Sequence, residues 1–314
     1  SKGHIANYTG SYIRLSDFRG AVNQGPKTLE AIQNRDCGWL YDARPDDFSK
    51  IPGSPLAYWA PNKIRDIFEE HGPLGDVCDA SAGMLTTDNE RFLRYWWEVS
   101  DKSIKWDAAS SEEAKSSKLR WFPHNKGGAF KRWYGNQEYI VDWQDDGARI
   151  KEEVIRKYPY LNGNPNFVVH DDGYYFKESI TWSEITSSLP SFRYFPEGFT
   201  FNYKGMSAFC HDSHTYQQVI SYCNSSLVTY LCKMINPSLS FGVGNFRSLP
   251  AVLLRKDLVS EIVDELISIN KKDYDLYEIS RNFEHHFLTE EVEGGKCALR
   301  QIYYQMRNCQ RGWY

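Results

Sequence analysis

The stretch KLRWFPHNKGGAFKRWYGN, residues 118–136, alternates aromatic and basic side chains around a Gly127-Gly128 turn. Aromatic side chains favour strands, and Asn and Gly mark the turns between them. The stretch therefore predicts a β-hairpin with its aromatic rings in the core and its Lys and Arg side chains facing water. A phosphate-binding surface built from the same residues is an equally open interpretation at this point.

Segments with strand character extend outward from this stretch in both directions, at residues 12–15, 38–41, 92–99, 167–169, 174–176, 192–195 and 198–203. Helical spacing of apolar residues predicts helices at 28–32, 62–70, 147–157, 213–235 with a break near Asn224, and from 257 onward. Residues 239–254 fit a strand or a loop. This order predicts the α+β class: a mixed or antiparallel, β-rich domain with flanking helices and a helical C-terminal segment.

Composition narrows the classes of function. The 314 residues carry a net charge of −4, which excludes a protein that is basic throughout and confines any nucleic-acid site to a local patch. The seven dispersed cysteines show no zinc spacing, so we expect reduced thiols and no metal. No apolar run approaches the roughly 20 residues of a membrane span, and no signal peptide begins the chain. We expect a cytoplasmic protein without membrane contact. The abrupt start without Met suggests a longer parent.

A search for catalytic motifs finds neither a catalytic residue nor a cofactor-binding residue. A methyltransferase that acts on adenine needs a Gly-rich loop for S-adenosylmethionine and an Asn/Asp-Pro-Pro-aromatic loop for the flipped base. Residues 164–167 and 236–239 lack the doubled proline, and residues 242–244 lack the third glycine of a dinucleotide loop. Turns are predicted at all three places.

Histidine and aspartate clusters offer weaker possibilities. His211-x-x-His214 and His285-His286 lack the further ligands of a zinc site. Acidic pairs could hold Mg²⁺ in a nuclease, although solvated turns are favoured. These pairs are Asp46-Asp47, Asp145-Asp146 and Asp171-Asp172. An independent nuclease therefore stays a hypothesis that incubation with DNA and Mg²⁺ would decide.

A local positive potential does stand out, because five cations lie in residues 118–132 without an acid among them: Lys118, Arg120, Lys126, Lys131 and Arg132. A phosphate backbone would be attracted to them, and the amides of the glycine turn could approach phosphate closely. Arg91 and Arg94 form a second, weaker patch, for which a solvated strand face is favoured.

Several sequence segments, taken in order, resemble the PglX family of adenine-specific DNA methyltransferases from BREX phage-defence systems, and more distantly the type IIG restriction-modification enzymes. The segments are YIRLSDF (12–18), PKTLEAI (26–32), IPGSPLAYW (51–59), WFPHNKGG (121–128), RWYG (132–135) and YFKESITWS (175–183). A helix over 224–236 that ends in Asn-Pro and the dipeptide Leu249-Pro250 complete the resemblance, which covers the whole chain.

The resemblance implies a fragment of three parts. Residues 1–50 would be the tail of the methyltransferase domain, 51–254 the DNA target-recognition domain and 255–314 a helical C-terminal segment. S-adenosylmethionine would bind the parent and not this fragment, which we expect to be inactive alone. Double-stranded DNA and the missing N-terminal methyltransferase half are the implied partners, with other defence-system proteins or a phage DNA-mimic inhibitor as further candidates.

The same resemblance selects candidate DNA-binding residues. Thr87 stands where a glycine is commoner in the entry loop of such recognition domains, so a loop role is carried over to it. Bidentate pairing of Arg or Lys with guanine and of Asn with adenine adds further candidates. These are Arg91, Arg94, Arg120, Asn125, Lys126, Lys131, Arg132 and Lys177. A protein-interaction module of a defence complex is the alternative function, because the chain is acidic overall, rich in aromatic residues and helical at its end.

Overall fold

A computed structural model describes residues 8–170, 173–186, 189–212, 215–236 and 238–284. Its strands are β1 (Gly10–Ile13), β2 (Leu40–Ala43), β3 (Cys78–Ser81), β4 (Leu93–Tyr95), β5 (Trp121–Asn125), β6 (Tyr139–Asp142), β7 (Ser179–Ser183), β8 (Phe192–Phe195), β9 (Thr200–Phe201) and β10 (Gly205–Cys210). Its α-helices are α1 (Ala21–Gln33), α2 (Asn62–Glu70), α3 (Asn89–Phe92), α4 (Ser111–Ser116), α5 (Gln144–Lys157), α6 (Tyr216–Cys223), α7 (Ser226–Ile235), α8 (Val243–Arg247) and α9 (Lys256–Asp275). The predicted α+β class is confirmed.

One four-stranded sheet, which we call the helix-backed sheet, has the antiparallel order β3-β10-β7-β8. Its apolar face packs on residues of α6, α7, α8 and α9 in a single buried cluster. Trp182 of β7 lies at the centre, stacked on Phe246 of α8 with ring centroids 4.8 Å apart. Its indole Nε1 donates to the Phe241 carbonyl at 2.8 Å, so the ring is buried without an unpaired polar atom.

The second four-stranded sheet, the mixed sheet, has the order β4-β6-β5-β9. Its pairs are antiparallel except for β5 with β9, which run parallel. Phe122 and Val141 share a buried cluster with Ile150 and Val154 of α5. Only Asn202, Tyr203 and Lys204 separate β9 from β10, so one short turn joins the two sheets.

The predicted domain boundaries are crossed by packing. Ile51 belongs to the buried cluster behind the helix-backed sheet, and so do Val259 and Val263 of α9. The strand pair β1-β2 contacts the rest of the chain through Tyr12, whose ring stacks on Tyr58 at 4.9 Å. The division at residues 50 and 254 stays a prediction, and α9 is folded onto the same core as the preceding 200 residues or so.

The predicted helices agree with the structure more often than the predicted strands do. The helix at 62–70 is α2, and 147–157 lies within α5. The predicted break at Asn224 separates α6 from α7, because the Asn224 side chain bonds the backbone of Phe192 in β8 through both its amide oxygen and its amide nitrogen, at 3.1 and 3.0 Å.

Two strand predictions were wrong. Residues 167–169 continue from a 3-10 turn over Pro165–Phe167 and form no strand, and 174–176 lie in a turn. Residues 239–254, predicted as a strand or a loop, are mostly loop and contain the short helix α8. The two central strands of the helix-backed sheet, β7 and β10, were not predicted. In β10 the reason is that small residues such as Gly205, Ser207 and Ala208 have low strand propensity and are held there by burial on both faces. Among the described residues, no helix has the length and apolar character needed to span a membrane.

Candidate nucleic-acid interface

The mixed sheet divides the predicted DNA-binding residues between its two ends. Because β5 and β6 are antiparallel, Arg120 lies beside Asp142 at one end, which we call the paired end. Lys126 follows β5 and lies beside Tyr139 at the other, which we call the loop end. The four residues of β6 separate the ends by roughly 10 Å at about 3.3 Å per residue.

At the paired end, the arginines neutralise carboxylates of the fold. Asp142 is buried, and its Oδ2 atom is 3.0 Å from Arg120 Nη2 and also accepts from Arg149. Arg91 Nη1 lies 3.2 Å from Oε2 of the buried Glu153, which Arg156 also contacts. A cation that compensates a buried carboxylate is not free to bind phosphate without leaving that carboxylate unpaired. The arginines at the paired end are therefore explained by the buried carboxylates that they neutralise.

Thr87 and Arg94 also serve the local backbone. Thr87 has a φ of 62°, and its carbonyl accepts a hydrogen bond from Lys157 Nζ at 3.0 Å. A β-branched residue in this left-handed region is unusual, which agrees with the loop role expected for Thr87. Arg94 Nη1 donates to the carbonyl of Leu93 at 2.6 Å, and its guanidinium lies 5.9 Å from the Trp121 ring centroid.

Asn125 does not present its side chain to solvent. It is 1% exposed, its Nδ2 donates to the Gly205 carbonyl at 2.8 Å, and its Oδ1 accepts from the Gly127 amide at 3.0 Å. Its own carbonyl accepts from Asn202 N–H at 3.1 Å. Asn125 thus fastens the turn between β9 and β10 to the end of β5, and its amide is not available to pair with adenine in this structure.

The residues between β5 and β6, 126–138, form what we call the basic loop, and it is fixed to the helix-backed sheet. The Gly128 amide donates to Ser183 Oγ at 3.1 Å, and the Trp133 amide donates to the Phe192 carbonyl at 2.9 Å. Gly127 has a φ of 74°, and a Cβ there would lie 2.3 Å from the Lys204 carbonyl oxygen. The glycine amides therefore bind protein atoms, contrary to the expectation that they approach phosphate.

The cations of the basic loop differ from those of the paired end. Within the described part of the chain, Lys126, Lys131 and Arg132 form no ion pair within 4.0 Å, whereas Arg91 and Arg120 do. Arg132 is half-buried, its guanidinium lies 5.5 Å from the Phe130 ring, and burial lowers its pKa. The nearby Glu138 is largely desolvated, which raises its pKa, and Lys131 opposes that rise. These three cations thus lie in the loop without an ion pair, and Glu138 is the acidic group of the loop that senses one of them, Lys131.

Three aromatic rings continue this surface, and we call them the aromatic ladder: Tyr139, Tyr95 and Trp97. Lys126 Nζ lies 4.2 Å above the centroid of Tyr139. The Tyr139 hydroxyl bonds that of Tyr95 at 3.0 Å, which is the main cause of the raised pKa of Tyr95. Tyr95 stacks on Trp97 with centroids 4.7 Å apart and planes 4° from parallel. Tyr95 and Trp97 remain 38% and 45% exposed, so the ladder extends from Lys126 as a row of accessible π faces.

The sequence interpretation missed the ladder although its signal was present. Residues 92–99 were predicted as a strand of aromatic character, in which Tyr95 and Trp97 would share one face. Nothing in the sequence shows that Tyr139, 44 positions further on, completes the row. Lys177 lies apart from this surface, next to β7, with its Nζ 5.4 Å from the Tyr174 ring.

Two known proteins are similar in sequence to nearly the whole chain. Over 292 residues the chain is 32% identical to the adenine-specific methyltransferase PglX of Lacticaseibacillus casei (strain Zhang). Over 290 residues it is 30% identical to the adenine-specific methyltransferase BrxX of Escherichia coli O9:H4 (strain HS). The chain is similar to one region of these methyltransferases. The resemblance to PglX that the sequence segments indicated is thereby confirmed.

These similarities cover 93% and 91% of the chain but only 24% and 22% of the two relatives. The chain thus spans about a quarter of their length, and their activity as whole proteins comes to this chain only as a proposal. No protein-family model matches the chain.

Catalytic alternatives gain no support from the described residues. No group of three or more His, Cys, Asp or Glu in this part of the chain could hold a metal ion. Asp145 and Asp146 lie in a left-handed turn at the start of α5, and Asp146 pairs with Lys151 at 2.5 Å. Asp171-Asp172, His214 and His285-His286 lie outside the described residues. His124 is fully buried, which lowers its pKa to about 3 and keeps the imidazole neutral at physiological pH.

Proposed function

We propose that this chain is the DNA target-recognition part of an adenine-specific DNA methyltransferase of the PglX type, acting in BREX phage defence. The similarity to PglX and BrxX supports the methyltransferase context. The observation that carries the recognition role is the surface at the loop end of the mixed sheet. There Lys126 lies over Tyr139 of the aromatic ladder, and Lys131 and Arg132 follow in the same loop without an ion pair among the described residues.

The cations and the rings would have separate tasks in this proposal. Lys126, Lys131 and Arg132 bind phosphates, which position the duplex without selecting a sequence. The ladder offers π faces to sugars or to a base that has left the stack of the duplex. Arg91, Arg94, Arg120 and Asn125 are left out of the proposed contact surface, because their side chains are engaged by the fold.

The remaining part of the parent would supply the chemistry. We place the S-adenosylmethionine site and the loop that accepts the flipped adenine outside this chain, whose sequence lacks both motifs. Double-stranded DNA is the proposed partner. The chain alone is therefore expected to transfer no methyl groups to DNA, and measurable transfer by the purified chain would contradict this assignment.

Titration with duplex DNA at several salt concentrations tests the surface. The slope of log K against log salt is negative, and each lost phosphate contact reduces its magnitude by about 0.9. Replacing Lys126, Lys131 and Arg132 together by Ala should therefore reduce the magnitude by about 2.7. A charge-matched control replaces three exposed lysines that form no ion pair among the described residues: Lys63, Lys233 and Lys272. The control should leave the slope almost unchanged.

The two results are interpreted together. If both triple variants weaken binding equally, net charge and not this surface determines affinity, and the assignment fails. If the loop variant alone binds weakly, the same substitutions in the full-length parent should reduce methylation at its target sites without creating new ones. A parent that still methylates every target at the wild-type level would contradict the recognition role.

A further inference from the structure

Two cysteines that are 132 positions apart in the sequence meet in the helix-backed sheet. Cys78 is the first residue of β3 and Cys210 the last residue of β10, and the antiparallel register pairs them directly. Their Sγ atoms are 3.0 Å apart, and both thiols are free. Among the described residues, no other two thiols are hydrogen-bonded to each other.

The kind of strand pairing brings the two backbones close enough for a disulfide. The His211 amide donates to the Val77 carbonyl at 3.0 Å, so these two residues form a hydrogen-bonded pair. Because the two kinds of pair alternate along an antiparallel ladder, Cys210 and Cys78 form a non-hydrogen-bonded pair. The Cα atoms of such a pair are about 4.5 Å apart, within the range of about 4.4–6.8 Å that disulfides occupy. A bond between the two sulfur atoms therefore needs only a small movement of the side chains.

One of the two thiols can be reached from solvent. Cys78 is fully buried, whereas Cys210 is half-buried and lines a cleft of about 220 Å³ together with Tyr194 and Tyr216. A cleft of this size admits hydrogen peroxide, since a water molecule occupies only about 30 Å³. Cys210 is therefore the thiol that a small oxidant meets first, and Cys78 lies behind it.

The surroundings of Cys210 do not activate its thiol. The hydrogen bond to Cys78 and burial raise the pKa of Cys210, and the carboxylates of Glu178 and Asp212 act in the same direction. A raised pKa lowers the fraction of thiolate, which is the reactive form of cysteine. Cys210 thus stays a thiol until peroxide is in excess, and the adjacent Cys78 then decides which product forms.

We propose that Cys78 and Cys210 form a redox-sensitive site, at which peroxide converts the two thiols into a disulfide between β3 and β10. The Cys210 sulfur first attacks a peroxide oxygen: the S–O bond forms, the O–O bond breaks, and one water leaves. The Cys78 sulfur then attacks the Cys210 sulfur: the S–S bond forms, the S–O bond breaks, and a second water leaves. The thiols lose two electrons and both protons, and one peroxide becomes two waters.

The disulfide fastens an edge strand of the helix-backed sheet. In the described part of the chain, β3 has β10 as its only strand neighbour. A covalent link between residues 132 positions apart also restricts the unfolded chain. The oxidised protein should therefore unfold at a higher urea concentration than the reduced protein. The proposal does not depend on DNA recognition.

Peroxide treatment of the folded chain, followed by peptide mass mapping without reductant, tests the site. Cys37, Cys297 and Cys309 are first replaced by Ser, which leaves four of the seven cysteines. The mass should fall by about 2 Da, and the thiols that react with iodoacetamide in urea should fall from four to two. One peptide should join residues 78 and 210, and dithiothreitol should reverse all three changes.

Cys210→Ser in the same background is the matched control. It should show neither the mass loss nor the shift of the urea midpoint after peroxide treatment. The proposal is overturned if all four thiols still react, or if Cys210 becomes a sulfinic acid while Cys78 stays a thiol. It is also overturned if the buried Cys223 and Cys232 are linked in equal yield, or if links form only between two copies of the chain.

Discussion

Replacing the neighbouring residues Asn125 and Lys126 by Ala should affect different properties: the first should lower stability, and the second should weaken DNA binding. Asn125→Ala removes the bond to the Gly205 carbonyl at 2.8 Å and the bond from the Gly127 amide at 3.0 Å. Both backbone groups are buried, and each left unsatisfied costs about 1–3 kcal/mol, so the free energy of unfolding should fall by about 2–6 kcal/mol. Such a loss is a large part of the about 5–15 kcal/mol that holds a domain folded.

Lys126→Ala should leave the fold almost unchanged. Its ammonium lies over the Tyr139 face, and this half-buried cation–π pair is worth about 0.5–2 kcal/mol. Its effect should appear in DNA binding as a loss of about 0.9 in the salt slope. Urea unfolding followed by tryptophan fluorescence measures the first quantity, and duplex titration below the unfolding transition measures the second.

The reasoning would be refuted by the reverse pattern. If Asn125→Ala unfolds at the wild-type urea concentration and binds DNA with a smaller salt slope, Asn125 contacts DNA and its bonds to Gly205 and Gly127 do not hold the turn. If Lys126→Ala lowers stability by several kcal/mol while the salt slope is unchanged, the basic loop is structural and the proposed interface is wrong.

Three further predictions follow from single side chains. Trp97→Ala should weaken binding of DNA that carries an unpaired base by about 1–3 kcal/mol with an unchanged salt slope, because stacking involves no counterion release; an altered slope would contradict the ladder's role. Since burial lowers the pKa of His124 from 6.5 to about 3, the unfolded state binds the extra proton, and stability should fall by up to about 1.4 kcal/mol per unit as pH drops from 6.5 towards 3. His124→Gln should flatten that dependence in urea unfolding curves measured at several pH values. Gly147→Ala should destabilise by more than about 1 kcal/mol, because φ is 66° and the new Cβ would lie 2.5 Å from the Trp143 ring; a wild-type melting temperature would show that the left-handed turn is not required.

The sequence pattern predicted secondary structure correctly where the interactions that determine it lie between residues close in the chain. Of the hairpin predicted within residues 118–136, the first strand is present as β5, but its partner β6 begins only at Tyr139, after the basic loop. The break at Asn224 was visible because Asn interrupts the apolar spacing. In contrast, β10 pairs with β3, and Ser207 lies opposite Ser81, a partner 126 positions away, so its strand conformation depends on contacts that no local window contains.

The same limit applies to the candidate site. Arg120 and Lys126 look alike in the sequence, because both lie in an acid-free run of basic residues. What distinguishes them is Asp142, 22 positions from Arg120 and brought beside it by the antiparallel register of β5 and β6. Positive charge could be predicted from the sequence, but whether a given cation is already neutralised is a property of the fold.

The attachment of the basic loop to both sheets also bears on how it could bind DNA. Asn125 fastens the start of the loop to the turn between β9 and β10, and Trp133 fastens its middle to β8 through hydrogen bonds of 2.9 Å from its amide and 2.8 Å to its carbonyl. A loop ordered before binding avoids the loss of about 1–2 kcal/mol of backbone entropy per residue that an unstructured segment would suffer. In the proposed interface its glycines thus serve recognition indirectly: they permit the close contacts with Lys204 and Ser183 that hold Lys126, Lys131 and Arg132 in a fixed arrangement.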